Sequence, residues 1–137
     1  MNEKTKRILL AATAIALAVV FLMFGTGKFM DPAKWIDKFT AWGIPAWFVP
    51  VSGALEIAGA VGLLIPVLRG PAGLGLALFM IGAVATHVIH AEIGMIFVSG
   101  AILAGSAAVG WLRLPETIIA LSRGIAVQQE TIRDRTT

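Results

Sequence analysis

Six side chains able to exchange a proton or orient a polar ligand stand within or beside apolar stretches: Lys28, Glu56, Thr86, His87, His90 and Glu92. Glu56 is the sole formal charge in residues 51–68, and His87 lies in residues 71–90, which carry none. A charge at mid-membrane costs about 2.5–3.5 kcal/mol on insertion scales, so a residue placed there calls for a reason. A glutamate removed from water and a histidine that titrates near neutrality could pass protons to a bound quinone or hold a polar head group. Lys28 would add positive charge, and Trp42 and Trp47 would shield the mouth of such a pocket. A structural reading stands beside this one. Glu56 would then pair with Lys28 or His87 and lock helices together, with interhelical polar contacts averaging about 0.6 kcal/mol. A third reading takes His87 and His90, three residues apart, as haem or metal ligands. No carboxylate stands at a spacing that completes a ligand set, so no metal site is expected, and the cofactor stays open with quinone ahead of haem. Nucleophilic hydrolysis is not supported, because there is no Gly-x-Ser-x-Gly and no Ser/His/Asp set of clear geometry.

The elements that must position these groups follow from composition. The chain has 137 residues, 58% hydrophobic and 14% charged; soluble proteins average about 45–50% and about 25%. A soluble chain of this length could not hide so much apolar surface, and a disordered one would carry more charge. The absence of cysteine removes disulfides, thiolate metal sites and dithiol chemistry. The net charge of +3 does not indicate nucleic acid, because the basic residues sit at the chain ends and between apolar blocks. Those blocks predict four membrane-spanning helices at about residues 8–28, 51–68, 71–90 and 93–112. A span of roughly 20 residues at 1.5 Å rise crosses a hydrocarbon core of about 30 Å. Helix is the default in lipid, where backbone groups must bond internally, and no alternation suits a barrel. The first block follows Lys4, Lys6 and Arg7 like a signal peptide, but it is long and lacks a clear cleavage site, so a retained helix is expected.

Positive charge orients the bundle. Lys4, Lys6, Arg7, Arg69, Arg113, Arg123, Arg133 and Arg135 fall on the side of the termini, and Lys28, Lys34 and Lys38 on the other. The expectation is an all-α integral membrane four-helix bundle with both termini cytoplasmic. Glu56 then lies about 9 Å below the outer end of its helix, and all six polar candidates gather in the outer half. The outer loop should hold a short interfacial helix: Asp31-Pro32 is a start signal, and Gly43 with Ile44-Pro45 ends it. Its Trp35, Ile36, Phe39 and Trp42 share a face, readable as an aromatic belt at the headgroups or as a lid over a ligand. Residues 113–137 read as a cytoplasmic tail, with a surface helix from Pro115 to about Glu130 and disorder from residue 133. The fifteen glycines suit close helix packing within the bundle or between copies.

Gly27-Lys28-Phe29, Trp42-Gly43-Ile44-Pro45, Glu56-Ile57-Ala58-Gly59-Ala60 and Gly82-Ala83 through Thr86-His87 resemble the DoxX-like membrane protein family, over roughly residues 8–112. The resemblance implies a small, mostly bacterial, four-helix membrane protein of the inner membrane. The family's namesake group includes a membrane subunit of a thiosulfate:quinone oxidoreductase, and other members are tied to redox stress or quinones. The resemblance carries over no catalytic set; Lys28, Glu56 and His87 match its pattern by position. The expected partners are membrane lipids, a redox partner protein and further copies of the chain, with no nucleic acid. The first expectation is a quinone-linked membrane subunit or accessory protein with a ligand near Glu56 and His87. The alternative is a non-enzymatic scaffold or lipid-binding protein whose polar cluster is structural. A small transporter is a third reading, opposed by the lack of an inverted repeat.

Overall fold

The computed structural model describes residues 1–136. The described residues form five α-helices: α1 (Glu3–Met30), α2 (Pro32–Ala41), α3 (Phe48–Leu64), α4 (Arg69–Ile89) and α5 (Ile93–Thr136). A 3-10 turn, Pro66–Leu68, joins α3 to α4. Three of these segments are long and apolar enough to cross a bilayer, and α3, at 17 residues, is a shorter apolar helix. The second expected span thus ends at Leu64. Ile65 is extended, and the residues after it tighten into the 3-10 turn before Arg69 opens α4.

The local chemistry explains the breaks. Asn2 caps α1, its Oδ1 accepting the Lys4 backbone N–H at 3.0 Å. Asp31 closes α1 and opens α2: its N–H donates to the Gly27 carbonyl, and its carboxylate accepts the Lys34 N–H at 3.4 Å. Proline at the first position of α2 needs no donor there. Gly43, at φ +72°, turns the chain out of α2 in a conformation a side chain would strain.

The helices associate as two pairs, α1 on α3 and α4 on α5. Each pair meets through glycine. A Cβ on Gly25 would come within 2.9 Å of the Gly53 carbonyl, and one on Gly73 within 2.6 Å of the Gly110 nitrogen. Backbones touch at both crossings, as small residues permit in membrane bundles. Between the pairs lies a core of Ala14, Leu17, Ala18 and Phe21 from α1, Ala60 and Leu63 from α3, Leu76 and Met80 from α4, and Val109 from α5. The outer faces are apolar as well, with Leu55, Val61, Leu78, Ile81 and Phe97 exposed. An apolar exterior around an apolar core is what a bilayer requires of a helical bundle.

The end of the bundle that holds the termini differs from expectation. α5 neither stops near residue 112 nor restarts at Pro115; it runs unbroken through that proline. Anchors on both sides of Pro115 hold its direction. The buried Arg113 donates to the Arg7 carbonyl at 2.9 Å and to Glu116 Oε1 at 2.7 Å, and the Thr117 hydroxyl donates to the Val67 carbonyl at 2.7 Å. Residues 133–136, expected to be disordered, continue the helix, and Thr137 lies outside the described residues.

Candidate functional site

The last turn of α1 and the third turn of α3 face one another just beyond the Gly25/Gly53 crossing. Close approach there leaves Lys28 and Glu56 almost out of contact with solvent, and they satisfy each other. Lys28 Nζ donates to Glu56 Oε2 at 2.5 Å, with both side chains under a tenth exposed. The ammonium also lies 4.6 Å from the ring centre of Trp35, so α2 covers it from above. A cation at the C-terminal end of α1 is further favoured by the helix dipole.

A second pair forms where α4 turns into α5. Ala91 takes a left-handed conformation, φ 55°, uncommon for a residue with a Cβ. That turn folds Glu92 back on His87: its N–H donates to the His87 carbonyl at 3.0 Å, and its Oε2 accepts from His87 Nδ1 at 2.6 Å. The hydrogen bond from His87 holds the Glu92 carboxyl below the usual carboxylate range, with the positive charge of Lys38 adding to it and partial desolvation opposing it. With Nδ1–H committed to Glu92, a neutral His87 carries its lone pair on Nε2, the arrangement of a histidine oriented by a carboxylate.

Aromatic rings of α2 join the two pairs. Trp42 meets His87 edge-on, centroids 5.4 Å apart at 88°, and Lys38 Nζ stands 4.7 Å over the same indole. Phe39, buried, contacts both Trp35 and Trp42. Below these rings lies a cavity of about 270 Å³. Lys28, Glu56, Thr86, His87 and Trp42 all line it.

Of the expected ligand-binding residues Lys28, Glu56, Thr86, His87, Trp42 and Trp47, the first five therefore share one cavity, and Trp47 does not. Its ring packs edge-on against Phe48 and is 66% exposed, a position that suits the outer surface rather than the pocket. Glu56 and His87 do not pair with each other: each has its own partner. His90 turns away, exposed, with Nδ1–H donating to the Thr86 carbonyl at 2.9 Å. The Thr86 hydroxyl donates back to Gly82 at 2.9 Å, leaving its lone pairs toward other donors. Among the described residues no group of three His, Asp or Glu side chains forms a metal-ligating cluster.

Sequence reasoning did not assign Trp35, Lys38, Phe39 or the buried Ser99 to the site, and all four line the cavity. Trp35 and Phe39 were signalled by their spacing with Trp42 on one face of α2, which fits a lid as well as a belt, whereas Lys38 reads from the sequence as part of another face. Nothing local marks Ser99, whose hydroxyl bonds the Met95 carbonyl within its own helix.

No curated protein and no solved structure gives a significant match to the chain. The family model for the DoxX-like family matches residues 12–109, a stretch that contains every cavity residue named above. That match, over most of a chain built from apolar helices, makes this a membrane protein of the DoxX-like family.

Proposed function

We propose that the protein holds the head group of a lipophilic ligand of quinone type in the outer-half cavity and serves a quinone-linked redox system of a bacterial inner membrane. In this reading the chain crosses the bilayer four times, with both termini in the cytoplasm, and takes electrons through a partner protein. The observation that carries it is a cavity in which a buried Lys28–Glu56 pair and a carboxylate-held His87 share an otherwise apolar wall. Mostly apolar pockets with a few convergent polar groups are the usual form of small-molecule sites. The volume, about 270 Å³, exceeds the roughly 150 Å³ that accommodates benzene. It suits a substituted ring and leaves an isoprenoid tail to the lipid. Lys28 Nζ can donate to a ring carbonyl, His87 Nε2 can accept or return a proton, and Trp42 closes the mouth.

The second reading, a structural strut without ligand, is favoured by one observation: the Lys28–Glu56 pair ties α1 to α3 beside their glycine crossing. One variant separates the two. Gly82 lines the cavity, and a Cβ built there meets nothing within 4 Å. Gly82→Leu therefore fills the space without disturbing either ion pair. With a short-chain ubiquinone analogue, the wild-type protein should show saturable quenching of tryptophan fluorescence. Gly82→Leu should keep its thermal stability in detergent and weaken apparent binding by about tenfold or more, the effect of losing roughly 1.4 kcal/mol of contact. Non-saturable quenching that is equal in both proteins would overturn the ligand reading and leave the strut.

A further inference from the structure

α5 is 44 residues long, about 66 Å at 1.5 Å per residue, more than twice the hydrocarbon core of about 30 Å. Its inner half therefore stands clear of the bilayer, and its sequence is patterned. Leu114, Ile118, Leu121, Ile125 and Ile132 recur at alternating intervals of three and four residues, with Gln128 completing the repeat. In heptad terms the isoleucines hold position a, and Leu114, Leu121 and Gln128 hold position d. β-branched residues at a with leucine at d favour a parallel two-stranded coiled coil, and a single polar seam residue fixes its register. Ile118, Leu121 and Ile125 are each more than half exposed in one copy of the chain.

We infer that the projecting half of α5 pairs with the same segment of a second copy, as a parallel coiled coil on the side of the membrane that holds the termini. Three observations select a second copy. The positions flanking the exposed part of the seam are Ser122, Gly124, Gln129 and Thr131, all uncharged, so two identical stripes meet without like-charge repulsion. As far as Ile132 the stripe carries no charge, with Glu116, Arg123 and Glu130 at successive f positions, and Arg135 at the d position after Gln128 marks its end. Residues 114–135 carry three arginines against Glu116, Glu130 and Asp134. A helix that lay on anionic lipid would instead be rich in Lys and Arg on its polar face. The bilayer supplies the third observation, because two copies inserted with one topology present this helix in the same direction. Within the bilayer the same helix line carries the exposed Ala104 and, at its inner end, Trp111.

The chain lacks cysteine, so single cysteines report on this contact without background. Leu121→Cys, Ile125→Cys and Arg123→Cys are made in the full-length chain and oxidised with copper–phenanthroline in liposomes at low protein density. Facing seam positions bring Cβ atoms near the 3.5–4.5 Å a disulfide needs, so the first two should cross-link at least about tenfold faster than Arg123→Cys. Equal rates at all three positions would mean random collision and would overturn the proposal. Absence of cross-linking at Leu121→Cys and Ile125→Cys would overturn it too. In that case quenching of a fluorophore on the Leu121→Cys thiol by brominated lipid would assign the stripe to the membrane surface, and no quenching would assign it to a different protein.

Discussion

Lys28 and Glu56 meet at 2.5 Å with almost no solvent around either side chain. A buried pair of this kind contributes little net stability, but removing one partner strands a charge and costs about 3–5 kcal/mol. Lys28→Met should therefore lower the unfolding free energy in detergent by about that amount, and Lys28→Met with Glu56→Leu should recover most of it. Similar losses in the single and double variants would show that the pair does not act as a unit. Glu92 sets a pH dependence of its own. Its carboxyl is held low in the folded protein by His87, so the stability it adds is present above the ordinary carboxylate range. That stability disappears as pH falls through the lowered value. The stability difference between wild type and Glu92→Gln should be full at neutral pH and vanish in acid, as read from thermal melts across pH. The residues of both pairs stood out in the sequence because Lys28, Glu56 and His87 interrupt apolar runs. Which of them pair stays open in the sequence, between Lys28 and His87 for Glu56, because a pairing depends on how each helix is rotated. A glutamate six residues into a span can face either neighbour, and only packing at Gly25 and Gly53 decides in favour of Lys28.

Helices α4 and α5 touch backbone to backbone, and no side chain there can yield. A Cβ on Gly73 would lie 2.6 Å from the Gly110 nitrogen and 2.9 Å from the Ser106 carbonyl. Gly73→Val should cost about 1–3 kcal/mol or more through overpacking and lower the melting temperature, whereas Gly75→Ala, where a Cβ meets nothing within 4 Å, should be nearly silent. Equal effects at the two positions would contradict the crossing. The apolar blocks marked where the helices lie, because charge is excluded from them. Their ends were less legible. Ile65 and the 3-10 turn shorten the second span, and α5 passes through Pro115 because Arg113, Glu116 and Thr117 are fastened around it. Those fastenings join residues 50 and 106 positions apart in sequence, beyond any local pattern. The short helix α2 shows the same limit. Its aromatic face was visible, but the choice between headgroups and cavity depended on where α4 placed His87.

The whole molecule is a bundle with an apolar outer surface, and the asymmetry of its basic residues yields a testable prediction of its direction across the bilayer. A fluorescent protein fused after Thr137 should fold and fluoresce in the cytoplasm, and alkaline phosphatase fused at the same place should be inactive. The reverse pattern would invert the topology and place the cavity near the cytoplasmic face. The two glycine crossings have a mechanical corollary. Each pair of helices is interlocked at contacts too tight to slide, so neither pair can loosen internally to admit a guest. The pocket draws its walls from both pairs, with Lys28 and Glu56 on one and His87 and Ser99 on the other. Extra room for a bulkier occupant would have to come from outside those two crossings, by α2 lifting like the lid of a box, since its rings roof the pocket and no glycine crossing pins it.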